Sequence, residues 1–410
     1  MTPLVPTGAP VARQEGILRL LRTASVGGAA AFVWLVVASE LVALALALLA
    51  RTYGVWTWAK IGLLAAAAAL RADVVATVEG GPFFAEPAPG ATYHWRLVPS
   101  LLTIGFLVLA ARVGRRASAT RPDGSAVAVI GLSAVGAGIP VGILAAAAAS
   151  FVDVSFPSIG TTIRVDPARA ALWGGITAAA AAAVGAAFGR RRSPLRASLR
   201  GGVSGYGCAL LLVTAGAVVV ATLEPTATRA YLDALLGIGS GGTVLLGVHL
   251  LSAPTLAALV LAPATGACVG MVSAAGAVDL CPWSLTPAGP GGLLLAQPLS
   301  LSPVLWVFAV VPPLSAAVAG HRATAEWAEG SPIASGIGGA MVFAGLAVAG
   351  SWYAGARVPV IVIPEVVVRA DLVTMSAALA LWAVIGGTIG GWLAGRRRYE
   401  EPVPPSPTSA

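Results

Sequence analysis

The chain is predicted to fold as an all-α, polytopic transmembrane bundle. About eight full spans, a few re-entrant or interfacial elements and two parallel internal repeats are expected. Three observations carry this. Of 410 residues, 57% are hydrophobic and 10% charged, against roughly 25% charged in a soluble domain, and the mean hydropathy is +0.87. The apolar residues fall in runs near the 20 or so needed to cross a bilayer. Finally, landmarks recur at a fixed spacing. Gly114-Arg-Arg-Ala-Ser118 returns as Gly320-His-Arg-Ala-Thr324, Gly124-Ser125 as Gly330-Ser331, and Gly189-Arg-Arg-Arg192 as Gly395-Arg-Arg-Arg398, each pair 206 positions apart.

Charge sets the orientation. The net charge is +8, and the arginines cluster where apolar runs end. That is the positive-inside pattern of a membrane protein, and it argues against nucleic acid as the partner. Lys60 is the only lysine. With so much Ala, Gly, Val and Pro, this reflects a GC-rich genome and not chemistry.

Residues 1–24 form a cytoplasmic leader, and the first transmembrane repeat covers 25–195. Its first span, about Ser25–Ala50, is too long for a signal-peptide core and stays as an anchor. Trp56–Val78 is apolar only over Ile61–Leu70 and is flanked by charge. The N-terminus and the cluster Arg112, Arg115, Arg116 and Arg121 must both face inward, so only two spans fit between them. Trp56–Val78 is therefore interfacial or re-entrant. The spans Leu97–Val113, Ala126–Val152 (interrupted by Pro140) and Ala168–Gly189 follow. An outer loop bracketed by Asp153 and Asp166 separates the last two.

The second repeat, 196–398, begins again from the inside. Arg196 stands five residues before Gly201-Gly202, as Arg22 does before Gly27-Gly28, so Gly201–Thr222 answers to the first span. An inserted outer segment, 223–300, holds the apolar run Gly237–Val278. Pro254 and Pro263 break that run, since proline removes a helical hydrogen bond, and a helical hairpin or re-entrant pair is expected. The remaining spans are about Pro303–Gly320, Ile333–Tyr353 and Leu372–Gly395. Residues 399–410 read as a disordered cytoplasmic tail. Both termini are placed inside the plasma (inner) membrane of a bacterium.

Candidate chemistry is sparse. Glu40 within the first span and His249 beside the Pro254 break are the intramembrane polar candidates, because ionisable groups there often mark ion or proton paths. Each has a plain alternative: an interfacial carboxylate near Arg51 or Lys60, and a hydrogen-bonded core histidine. Cys268, Asp279 and Cys281 form an outer cluster, either a disulfide-held lid or an ordinary polar loop. No His/Cys/Asp set has metal-ligand spacing, so neither metal nor cofactor is expected. There is no P-loop and no nucleophile elbow. Enzymatic activity is left open, leaning to no.

The stretch His249-Leu-Leu-Ser-Ala-Pro254, with Leu261–Cys268 and Val310–Arg322, resembles an uncharacterised group of actinobacterial polytopic membrane proteins. The resemblance covers under a third of the chain. It implies an actinobacterial plasma-membrane protein and carries no activity with it. Two functions stay open: a transporter-like or channel-like protein with a site between the repeats, and an accessory protein of the cell envelope or division machinery that works by protein contact. The expected partners are the lipid bilayer and other membrane proteins.

Overall fold

The computed structural model describes residues 9–50, 54–78, 91–95, 98–120, 125–156, 161–189, 193–237, 240–273, 276–280, 285–288, 292–295, 303–327, 329–360 and 363–400. The first residues of the expected leader, the loop around Pro87, the tail beyond Glu400, Cys281 and most of 281–302 lie outside them.

In chain order the N-terminal half contains α1 (Ala9–Ala50), α2 (Val55–Ala69), β1 (Val74–Val78), β2 (Ala91–Trp95), α3 (Ser100–Ala119), α4 (Ala126–Ser150), β3 (Asp153–Phe156), β4 (Thr161–Val165) and α5 (Pro167–Gly189). The C-terminal half opens with α6 (Pro194–Leu223), α7 (Pro225–Leu236), α8 (Ser240–Leu251) and α9 (Ala253–Ala264). Strands β5 (Val269–Ser273), β6 (Gly276–Leu280), β7 (Leu285–Ala288) and β8 (Gly292–Leu295) come next. A 3-10 helix, Pro303–Val310, then runs into α10 (Val311–Glu326), followed by α11 (Pro332–Ala354), β9 (Ala356–Val360), β10 (Ile363–Ala370) and α12 (Leu372–Glu400).

Among the described residues, six helices are long and apolar enough to cross a membrane: α1, α4, α5, α6, α11 and α12. They make this a helical membrane protein. Helix α3 lies against α1 and α5, and α10 lies against α6, α11 and α12.

The helical bundle is as expected, and short strands accompany it. Each half carries a four-stranded antiparallel sheet, in the orders β2-β1-β4-β3 and β6-β5-β10-β9. Segments such as Val74-Val-Ala-Thr-Val78 and Thr161-Thr-Ile-Arg-Val165 are rich in β-branched residues, which fit a pleated, half-buried surface. Hydropathy alone cannot distinguish them from short apolar helix. The apolar run 237–278 is likewise helical only to Ala264 and turns to strand at Val269.

Close backbone contacts hold the helices together. A Cβ on Gly114 would strike the Ala182 carbonyl, and one on Gly185 would strike the Ala111 carbonyl, so α3 and α5 touch main chain to main chain. Gly336, Gly387 and Gly391 do the same for α11 and α12. In lipid, where apolar burial gives no driving force between helices, this close packing is what holds them.

Pro140 does not interrupt its span. Helix α4 runs unbroken through it. Proline has no N–H to give to the Gly136 carbonyl, and the Ser25 hydroxyl of α1 donates to that carbonyl instead, at 3.0 Å. A neighbouring helix thus repairs the bond that proline removes.

Candidate functional site

The most unusual local structure lies where α2 ends. Leu70 meets Gly174, seven residues into α5 and so about 10 Å along that helix at 1.5 Å per residue. The chain reverses there. Arg71 takes φ 63, a left-handed conformation that costs a non-glycine residue roughly 1–2 kcal/mol. Its N–H donates to the Ala68 carbonyl, and that of Ala72 to the Ala67 carbonyl. This is the usual backbone closure of a helix C-terminus.

The turn is deeply buried: Arg71 is 4% exposed and Asp73 2%. Buried helix-end carbonyls need donors, and they come from both halves. The Ala69 carbonyl accepts from the Thr103 hydroxyl of α3 at 2.7 Å and from the Tyr353 hydroxyl of α11 at 3.0 Å. Tyr353 also shares a side-chain hydrogen bond with Thr177 of α5.

The Arg71 guanidinium reaches across the same seam. Its Nη2 donates to the Trp352 carbonyl at 2.8 Å. It lies 3.9 Å from the Trp352 ring centroid, 4.9 Å from that of Trp173 and 5.3 Å from that of Tyr353. Two effects make a buried cation tolerable here: the negative end of the α2 dipole and the electron-rich ring faces. Two residues on, Asp73 forms an ion pair with Arg169, and its carbonyl accepts the Asp166 N–H. Asp166 caps α5 through the N–H groups of Ala168 and Arg169.

Helix α9 of the C-terminal half ends in the same way. Gly266 has φ 94, its N–H donates to the Pro263 carbonyl, and Ala267 donates to Ala262. The Asp371 N–H bonds the Cys268 carbonyl, and Asp371 caps α12 through Val373 and Thr374. Cross-seam bonds are made at the start of α9, where the Thr255 N–H donates to the Ser100 hydroxyl at 2.8 Å and the Thr255 hydroxyl to the Val98 carbonyl at 2.9 Å.

The sequence candidates fall elsewhere. Glu40 lies on α1 with its carboxylate against Gly62 of α2, leaving no room for a Cβ. Nothing among the described residues bonds or ion-pairs with it; Lys60 instead donates to the Asp153 carbonyl at 2.6 Å. His249 lies in the last turn of α8, which leans on α1 with Gly247 against Leu46. Glu40 thus lies on α1 and His249 on a helix packed against it. Cys268 is disulfide-bonded and Cys208 is a free thiol. The backbone of Asp279 pairs with Gly270 across β6 and β5. No group of three or more His, Cys, Asp or Glu that could hold a metal is found among the described residues.

The sequence reading missed Arg71, Trp173, Trp352 and Tyr353. Arg71 read as a charged flank of a short apolar run. The available signal was Leu70-Arg-Ala-Asp73, two opposite charges immediately after an apolar helix too short to span. No protein-family model, curated protein or solved structure matches the chain.

Proposed function

We propose that this is a transporter-like protein of the bacterial plasma membrane whose working site is the seam between two parallel repeats. In this reading α3 and the 3-10 helix with α10 complete eight spans, and α2 and α9 are re-entrant. Both termini lie inside. One observation carries the reading: two short helices, one per half, each end within the bundle in a left-handed turn, that of α2 fully buried. Irregular backbone at membrane depth is tolerated only when buried in protein or lining a water-filled path, and broken or half-length helices at a repeat interface are a device of secondary transporters. The shared strand order of the two sheets supports duplication. The Cys268 disulfide supports an oxidising compartment for the sheets, on the side opposite the arginine clusters.

Reconstitution into vesicles tests the proposal. Proton and small-ion flux is measured with the wild-type chain, Glu40→Gln, His249→Ala and Tyr353→Phe. Protein-dependent flux that the seam variant abolishes supports it. A second reading, an accessory envelope or division protein acting by contact, is favoured by the two sheets, which offer a folded surface beyond the spans. In that case no flux appears, the three variants are silent in cells, and changes in 265–300 abolish cross-linking to a membrane partner.

A further inference from the structure

Helices α2 and α9 close with the same backbone turn but with contrasting side chains. Where α2 has Arg71, at φ 63, α9 has Gly266, at φ 94. Arginine rarely adopts this conformation and glycine adopts it freely. The surroundings differ in the same sense. Around Arg71 stand Trp173 of α5 and Trp352 and Tyr353 of α11.

The places that answer to these three hold small residues. Counting from the capping residues Asp166 and Asp371, Trp173 answers to Ala378. Counting from the capping serines Ser125 and Ser331, Trp352 and Tyr353 answer to Ala146 and Ala147. Counting from the ends of α4 and α11 instead still lands in the run Ala145–Ala149. Among the described residues the bulky tie across the seam is therefore built once, at the end of α2. Beyond that turn the two halves also differ in chemistry, with the Asp73–Arg169 ion pair in one and the Cys268 disulfide in the other.

We infer that Arg71 is a one-sided latch. It fixes the turn after α2 to the far half, and the turn after α9 is the one that parts from the bundle when the seam loosens. The cost of a left-handed arginine is offset because its side chain reaches the Trp352 carbonyl and ring. The latch does not rest on transport; it concerns which turn moves, whatever that motion serves.

The two turns offer matched reporters. Ala67 and Ala262 each supply the carbonyl that closes the turn, and they are 5% and 0% exposed. Static burial alone makes Ala262 the slower to react. In a Cys208→Ser background, Ala67→Cys and Ala262→Cys are treated with a charged, membrane-impermeant thiol reagent from outside. A desolvated cation–π contact shifts a local opening equilibrium by about tenfold or more, so Cys at 262 should react at least about tenfold faster than Cys at 67. Adding Arg71→Gly should raise the rate at 67 towards that at 262 and leave 262 unchanged. Trp352→Leu removes the closest ring while keeping Arg71 and the backbone acceptor. It should raise the rate at 67 at least about threefold, and it serves where Arg71→Gly fails to assemble. Equal or faster labelling at 67 with Arg71 intact overturns the latch, as does a rate at 67 that neither variant changes.

Discussion

The Ala69 carbonyl permits a quantitative test of how the halves are joined. It accepts two side-chain hydrogen bonds, from Thr103 at 2.7 Å and Tyr353 at 3.0 Å. Side-chain hydrogen bonds between membrane helices average about 0.6 kcal/mol. Thr103→Val or Tyr353→Phe alone should each cost about that much, because the remaining donor still satisfies the carbonyl. The double variant leaves a buried helix-end carbonyl with no donor, which costs about 1–3 kcal/mol. The double loss should therefore exceed the sum of the singles by about 1 kcal/mol. Reversible unfolding in mixed micelles, followed by tryptophan fluorescence, gives the four stabilities. Tyr353→Phe also removes the bond to Thr177, so a second cycle with Thr177→Val subtracts that part. Additivity within about 0.3–0.5 kcal/mol, the behaviour of independent sites, would refute the shared acceptor and with it the claim that both halves seal one helix end.

Three further outcomes follow from the packing, the caps and the disulfide. Gly185→Leu, which places side-chain atoms on the Ala111 carbonyl, should abolish folded yield, whereas Gly131→Leu and Gly207→Leu, with nothing within 4 Å of the added Cβ, should be near neutral by size-exclusion yield. Asp371→Ala removes the α12 cap and should cost about 1 kcal/mol by thermal unfolding. The Thr374 hydroxyl holds the Asp371 carboxyl below its ordinary 3.8, with the N–H groups of Thr374 and Val373 adding to this and partial burial opposing it. The folded value is the lower one, so the cap's contribution is complete above the unfolded value and fades as pH falls through the folded value. Asp371→Asn should lack that acid sensitivity. Non-reducing peptide mapping should link Cys268 to the remaining cysteine once the free thiol Cys208 is set aside, and Cys268→Ser should cost about 3 kcal/mol, as for a loop of some 15 residues.

Six of the expected spans were legible because each is an apolar run of about bilayer length. Ser125 and Ser331 were legible as landmarks, and both cap helices. The strands were not legible: Val269–Ser273 continues an apolar run without a break in hydropathy, and Val74–Val78, though set off by Arg71 and Asp73, is too short an apolar run to tell from helix. Asp153 and Asp166 were legible only as the ends of an outer loop; Arg164 pairs with Asp153 across the hairpin at 3.3 Å and Asp166 caps α5. The Arg71 cage was hidden because its four members are scattered from 71 to 353, and only the folded seam brings them together.

That scatter has a physical cause. A helix that stops inside a bundle leaves its last carbonyls without intrahelical donors, and no single neighbour can supply them all. For α2 the turn itself satisfies Ala67 and Ala68, α3 supplies Thr103 and α11 supplies Tyr353. The excess negative potential at the helix end is then met by Arg71, the nearest side chain able to reach it. Each of these groups would be costly if buried alone. Together they make a polar junction that forms only when α11 is in place. Separating the halves would therefore expose more than apolar surface. It would leave a helix terminus and a cation without the carbonyl, hydroxyl and rings that the other half provides, so the end of α2 and α11 must assemble as one unit.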